Sequence, residues 1–351
     1  MVRGHRIAAV IAAAAALFLV NAGGALAALP NSMAALGDSL TRGFGSAGVP
    51  GDNLAGSWST GTDPAVNSHY QRLLALNPSI SGHAANDAVD GSKMAGTFAQ
   101  AASAVAQGAQ YVTIFSGTND VCTDTVAQMT SPATFQAGLT ATLTRLTSGI
   151  PGVQVVVVSI PNWYGLWQTF HTDPAALAAW ATFNNRCPVL LGSGATDADR
   201  LAVAQRIVDL NAAAATACAA FANCTFDDGA AYNLALSRSD LTFDFFHLSL
   251  AGQARLAAVT WAAGPFAPPT ADERLQALAS YVNGIGPGKS LTAKVRSIQE
   301  ELADGDEDGA CDQLAALAQQ VEAQTGKKLT QDQAGHILSD VAAISAALGC
   351  R

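Results

Sequence analysis

Three short runs ahead of residue 264 are almost wholly apolar: Met33–Gly37, Tyr111–Ser116 and Val153–Ile160, each followed by small or turn residues. Runs of strand length that lack polar alternation need cover on both faces, as strands of a parallel sheet do. Helical patterns separate them, around Ser68–Leu76, Gly96–Ala106, Pro132–Ser148, Ala175–Asn184 and Asp197–Phe221. Strands alternating with helices predict an α/β sandwich with its site at the carboxyl ends of the strands.

The pattern stops at Gly264-Pro265-Phe266-Ala267-Pro268-Pro269-Thr270, where three prolines cannot continue a helix. Beyond it, Asp272–Asn283, Leu291–Ala303, Ala310–Gln324 and Thr330–Leu348 carry apolar residues at helical spacing and none reads as a strand. The expected layout is therefore an α/β domain over 28–264, a proline-rich linker over 265–270 and a small all-helical module over 271–351. The acidic run Asp304-Gly305-Asp306-Glu307-Asp308-Gly309 begins like a calcium loop, but the twelfth position is Ala315, not the bidentate Glu such a loop needs. It reads as a helix–helix turn.

Residues 1–27 have the form of a cleaved signal peptide. Arg3, His5 and Arg6 precede an apolar run from Ile7 to Val20, and Ala25-Leu26-Ala27 is a small-x-small cleavage pattern. The run is short of the ~20 residues a bilayer span needs, and no later stretch is long enough, so a secreted chain without a transmembrane anchor is expected. Its loss removes two arginines and no acid, taking the net charge from −9 to −11. An acidic chain with no Lys/Arg cluster is a poor partner for a phosphate backbone, which argues against nucleic-acid binding.

The six cysteines agree with an oxidising compartment. Sequence leaves many pairings open. Local spacing favours Cys218 with Cys224 and, within the helical module, Cys311 with Cys350, which leaves Cys122 with Cys187. No C-x-x-C occurs, so no zinc site of that kind is expected.

Four stretches carry chemistry. Gly37-Asp38-Ser39-Leu40 places Ser39 where the first strand turns into loop. Asn86-Asp87-Ala88-Val89-Asp90-Gly91-Ser92 is a glycine-bearing loop. Gly117-Thr118-Asn119-Asp120 follows the second apolar run, where Asn119 either points an amide at an oxyanion or caps a helix. Asp244-Phe245-Phe246-His247 puts an acid three residues before a histidine, so that the carboxylate can hold the ring's Nδ1–H and leave Nε2 as base. Each is ordinary alone, a turn, a cap or a structural Asp–His pair. The ordered set Ser, Gly, Asn, Asp/His is less ordinary.

That order resembles the block pattern of the SGNH, or GDSL-type, hydrolase superfamily over about residues 31–265. Ala34–Phe44 and Lys93-Met94 resemble the secreted bacterial esterase and phospholipase-B-like branch. The pattern departs at Asp90, where many members carry Ser before the block glycine. The resemblance implies a flavodoxin-like α/β/α sandwich around a five-stranded parallel sheet. It also implies Ser39 as nucleophile, His247 as general base and then acid, and Asp244 as the residue that orients it. The oxyanion hole would comprise the backbone N–H groups of Ser39 and Gly91 with the Asn119 amide. Asp38 would brace the loop, and Asp120 would cap the following helix or support the site. Such chemistry needs no metal and no organic cofactor.

Asn162–His171 follows the third strand and is rich in indoles and phenols. Trp163, Tyr164 and Trp167 are candidate substrate-binding residues, the alternative being a packed loop over the core. His69, His83 and His336 lack an acid at triad spacing. The C-terminal segment resembles the FIMAH domain, a helical module of secreted bacterial proteins, at Leu291, Ala293-Lys294, Ala310, Leu314, Gln324–Leu329 and Leu348-Gly349-Cys350. Attachment to a surface or protein partner is its expected role, a passive appendage the alternative. The whole reads as a secreted serine ester hydrolase acting on lipid or short acyl esters. A carbohydrate O-acetyl esterase, or a binding protein on the same fold, would share these blocks.

Overall fold

The computed structural model describes residues 28–350 apart from 184–185 and 287–288. The expected signal peptide, 1–27, lies outside the described residues. The described chain forms two compact units, one up to Ala258 and one from Val259 on.

In the first unit, the elements in chain order are β1 (Met33–Gly37), α1 (His69–Leu76), β2 (Ala84–Asn86), α2 (Met94–Gln107), β3 (Tyr111–Phe115), α3 (Thr118–Val121), α4 (Pro132–Gly149), β4 (Gln154–Val157), α5 (Trp163–Phe170), α6 (Pro174–Thr182), α7 (Pro188–Leu191), α8 (Asp197–Ala219), β5 (Cys224–Phe226) and α9 (Leu250–Ala262), the last running across the division. The five strands are parallel in the order β2-β1-β3-β4-β5. This is the flavodoxin-like order, whose direction reverses between β1 and β3; ligands bind there, outside the carboxyl ends.

The sequence explains these elements locally. β1 and β3 are buried at every residue, as unalternated apolar runs require. On one face of β3, Tyr111 meets His69 (OH to Nδ1, 2.7 Å), Thr113 meets Ser59 (2.7 Å) and Phe115 meets Trp58 edge-on. Among the helices, α2 packs on α4 and α4 on α8. Helix starts are set by side-chain caps: Ser68 with Gln71 for α1, Ser131 before Pro132 for α4, and Thr196 with Asp199 for α8.

Three features differ from the sequence expectation. β2 and β5 are three-residue, half-buried strands, too short to leave a hydrophobic period. β4 is shorter than the apolar run that contains it. The aromatic stretch after β4 is not a loop. Asn162 accepts from the Gly165 amide at 2.9 Å and starts helix α5.

The sulfurs are joined as Cys122–Cys187, Cys218–Cys224 and Cys311–Cys350. The second unit holds α10 (Ala271–Val282), α11 (Lys289–Ala303), α12 (Glu307–Gln324) and α13 (Gln331–Leu348), around Leu275, Leu278, Val295, Ile298, Leu314, Leu317, Ile337 and Ile344. In its acidic turn, Asp306 accepts from Gly309 N at 2.8 Å and caps α12. No described helix is long and apolar enough to cross a membrane.

Candidate active site

The carboxyl end of β1 leaves no room for a side chain. A Cβ on Gly37 would stand 2.2 Å from the Phe115 carbonyl oxygen of β3, so glycine is required where the two strand ends meet. The chain then turns tightly, with Thr41 N donating to Asp38 O at 3.0 Å and Phe44 N to Ser39 O at 3.0 Å. Ser39 is left half-buried at the rim.

His247 reaches this rim from the segment before α9. Its Nε2 lies 2.9 Å from Ser39 Oγ, and its Nδ1 lies 2.6 Å from Asp244 Oδ2. The turn that joins acid and base is closed on itself: Thr242 N donates to His247 O at 2.8 Å. Asp244 Oδ1 accepts from Thr242 Oγ1 (2.7 Å), His247 N (2.9 Å) and Phe246 N (3.1 Å). Phe245 takes a φ of 52° to make this turn, a conformation that L side chains rarely hold and that costs on the order of 1–3 kcal/mol. Burial pushes the Asp244 carboxyl up, but the hydrogen bond and charge of His247, with the Thr242 hydroxyl, outweigh it and hold the carboxyl well below the usual range. Asp244 therefore stays ionised and His247 Nε2 faces the serine. The imidazole is packed between Phe44, 4.7 Å away, and Phe246, edge-on at 5.3 Å.

The other two blocks arrive at the same end of the sheet. Val89 N donates to Gly37 O at 3.1 Å, which ties the Asp87–Ser92 loop to the end of β1. Gly91 stands in that loop at a φ of 70°, natural only for glycine. Asn119, in α3 beyond β3, donates from Nδ2 to Asp38 Oδ2 (3.2 Å) and to Ser92 O (3.1 Å). The amide thus bridges the nucleophile loop and the glycine loop. Asp38 is buried and also accepts from Leu40 N at 3.0 Å. Burial, helped by the charges of Asp120 and Asp90 and opposed by Leu40 N and Asn119, pushes its carboxyl up to about 7. Asp120 does not cap the helix that follows. Its Oδ2 accepts from Met94 N at 2.8 Å and so caps α2, which precedes it.

The aromatic candidates divide. Trp163 is fully buried, its Nε1 3.2 Å from Thr118 Oγ1 and its ring on Phe246, so it supports the site from inside and offers no surface to a ligand. Tyr164 and Trp167 stack on each other at 5.6 Å, with Arg200 4.6 Å over Trp167. A cavity of about 460 Å³ beside α5 is lined by Asn162, Leu166, Gln168 and Tyr232–Leu236 among others, and by none of the three.

Several supporting residues gave no signal in sequence. Gln100 of α2 bonds both polar groups of Gly37, and Gln253 of α9 donates to Leu40 O at 2.9 Å while accepting from Trp58 N. Arg186 stands 3.5 Å from Asp244 Oδ2. Glutamines and arginines far apart in sequence carry no motif. Only the close approach of α2, α9 and the loop before α7 reveals them.

A model of the GDSL-like Lipase/Acylhydrolase family matches residues 35–255. The membrane-associated phospholipase B1 of Rattus norvegicus is 28% identical over 207 residues, covering 49% of this chain and 14% of that protein. Among solved structures, TesA is similar with a TM-score of 0.42 and 17% identity, over 66% of this chain and 97% of that one. A phospholipase A1 from Streptomyces albidoflavus NA297 is similar with a TM-score of 0.38 and 19% identity, over 65% and 97% of the two chains.

Proposed function

The chain belongs to the GDSL-like lipase/acylhydrolase family, and from that premise we propose that it is a secreted serine ester hydrolase that cleaves lipid or short acyl esters through an acyl-Ser39 intermediate. The observation that carries this reading is the unbroken line from Ser39 Oγ to His247 Nε2, 2.9 Å, and from His247 Nδ1 to Asp244 Oδ2, 2.6 Å.

A serine hydroxyl is a weak nucleophile until a base takes its proton, and imidazole, with an unperturbed pKa near ~6.5, is suited to that at neutral pH. Ser39 Oγ attacks the ester carbonyl as its proton passes to His247 Nε2. Asp244 accepts from Nδ1 and stabilises the imidazolium. The tetrahedral intermediate collapses, His247 gives the proton to the leaving alcohol, and the acyl group stays on Ser39. Water, deprotonated by the same nitrogen, then releases the acid and restores Ser39.

The oxyanion is held by the backbone N–H groups of Ser39 and Gly91 and by Asn119 Nδ2; one such donor is typically worth ~10²–10³ in rate. In the free enzyme both hydrogens of that amide are used, on Asp38 and Ser92. Forming the oxyanion bond requires one of these two contacts to open.

The likeness to a phospholipase B1 supports lipid esters as the first substrates to try. The signal-like N-terminus and three disulfides support secretion. The proposed layout is a hydrolase domain over 28–264, a linker over 265–270 and a helical module over 271–351 that attaches the enzyme to a surface or protein partner. Hydrolysis of p-nitrophenyl esters from acetate to palmitate, by the mature protein and by Ser39→Ala, tests the reading. Activity that disappears with Ser39 supports it, and activity that survives overturns it. A strict preference for acetate would favour sugar O-acetyl esters over lipids.

A further inference from the structure

Arg186, just before α7, carries a cation to the back of Asp244. Arg186 immediately precedes Cys187, whose sulfur is bonded to Cys122, the residue that ends α3. A backbone bond from Val189 N to Thr123 O, 3.0 Å, joins the same two segments. Because α3 carries Asn119, this disulfide fastens the Arg186 loop to the helix of the oxyanion amide.

Arg186 Nε lies 3.5 Å from Asp244 Oδ2, the oxygen that accepts the hydrogen bond from His247 Nδ1–H. That Nε is buried and has no hydrogen-bond partner among the described residues. At 3.5 Å the contact is Coulombic, since a well-formed N–H···O bond is about 2.9 Å long. Asp244 is the only ion-pair partner of Arg186 among the described residues. The guanidinium carbon stands 5.0 Å over the Phe44 ring, and that ring lies 4.7 Å from the imidazole. Phe44 thus touches both the cation and the imidazole, the two rings tilted at 43° to each other.

We propose that Arg186 is a positioning residue of the ester hydrolysis: anchored by the Cys122–Cys187 bond, its guanidinium keeps the Asp244 carboxylate in line with His247 and places positive charge behind the imidazole. The proposal rests on reading Ser39, His247 and Asp244 as the triad. Its chemical effect follows from like-charge repulsion. Asp244 alone would hold the imidazolium too firmly for easy proton return. A cation behind the carboxylate offsets part of that attraction, so the ring still gives its proton to the leaving alcohol.

Other charges also face this histidine. Asp90 acts on it from the glycine loop and is itself opposed by Arg42 and joined by Asp52. Asp38 lies beside the nucleophile, Arg238 stands 4.1 Å over Phe245, and Asp240 is paired with Arg255. All of these are common to wild type and Arg186 variants, so the difference between them isolates Arg186.

The test is kcat/KM against pH for wild type, Arg186→Gln and Arg186→Lys on one soluble p-nitrophenyl ester, with thermal transitions measured alongside. Arg186→Gln is expected to lose about tenfold at neutral pH and to move the acid limb upward by roughly half a unit to one unit, the size of one partly screened charge at this range. Arg186→Lys keeps the charge and should leave the limb in place while losing rate. The side chain is 26% exposed, and Arg186→Met, which keeps the stem against Phe44, reads the same limb if the glutamine variant does not fold. An unmoved limb in the neutral variants overturns the proposal, whether the rate is unchanged or lowered equally at every pH. Turnover that survives Ser39→Ala would instead overturn the triad reading beneath it, so the two failures are told apart.

Discussion

Gln100 holds Gly37 by both of its backbone groups: Oε1 accepts from the amide at 2.8 Å and Nε2 donates to the carbonyl at 2.9 Å. A buried side-chain amide here replaces the neighbouring strand that the end of β1 lacks. The bond pair fixes the last strand residue before Asp38 and Ser39, and so fixes where the nucleophile stands. Replacing Gln100 with Leu leaves the buried Gly37 amide unpaired, at about 1–3 kcal/mol, while the carbonyl keeps its bond from Val89 N. Chemical denaturation should show that loss, and kcat should fall with it as the Ser39–His247 distance loosens. Full stability in Gln100→Leu would show that Gly37 finds other partners.

Asp38 gives a pH signature. Its carboxyl is pushed up to about 7 by burial, against about 3.9 in an unfolded chain. A carboxyl that binds its proton more tightly when folded favours folding at low pH. That contribution is lost as pH rises from about 4 through about 7. Asp38→Asn has no proton to lose. The thermal transition of wild type should therefore decline relative to that of Asp38→Asn across this window and run parallel to it above. A constant difference between the two curves would show that Asp38 does not titrate there.

The Cys122–Cys187 bond closes a 65-residue separation, which in the chain-entropy account stabilises by about 4 kcal/mol. Replacing both cysteines with Ala should lower stability by an amount of that order. It should also lower kcat at temperatures where the protein remains folded, because the bond ties the Arg186 loop to α3. A stability loss with unchanged kcat would separate the bond from the site.

Trp163 and Trp167 should behave oppositely. Trp163→Ala empties a fully buried site packed on Phe246 and should cost about 3–5 kcal/mol. Trp167, half-buried against Tyr164 and His171, should cost much less. Urea melts of the two variants check this directly.

The contrast shows what the sequence could and could not convey. β1 and β3 were legible because an unalternated apolar run has one good solution, a central parallel strand. β2 and β5 were not, since three half-buried residues leave no period. The blocks around Ser39, Gly91, Asn119 and His247 stood out only as an ordered set that resembles a family pattern, since each alone reads as a turn, a cap or a structural pair. Trp163 was misleading: an aromatic after a strand reads equally as lining or as core, and only the facing Thr118 and Phe246 decide it. Gln100, Gln253 and Arg186 act across the fold, so no local pattern marks them.

The central claim, that Ser39 is the nucleophile activated by His247, is tested most directly by covalent labelling. A fluorophosphonate ester added to the purified enzyme should form one adduct per chain, on Ser39, identified by peptide mass. The adduct should be absent in Ser39→Ala and form much more slowly in His247→Ala, with the thermal transition of Ser39→Ala nearly unchanged. A folded protein that takes no label, or takes it on another residue while still hydrolysing esters, would contradict the mechanism.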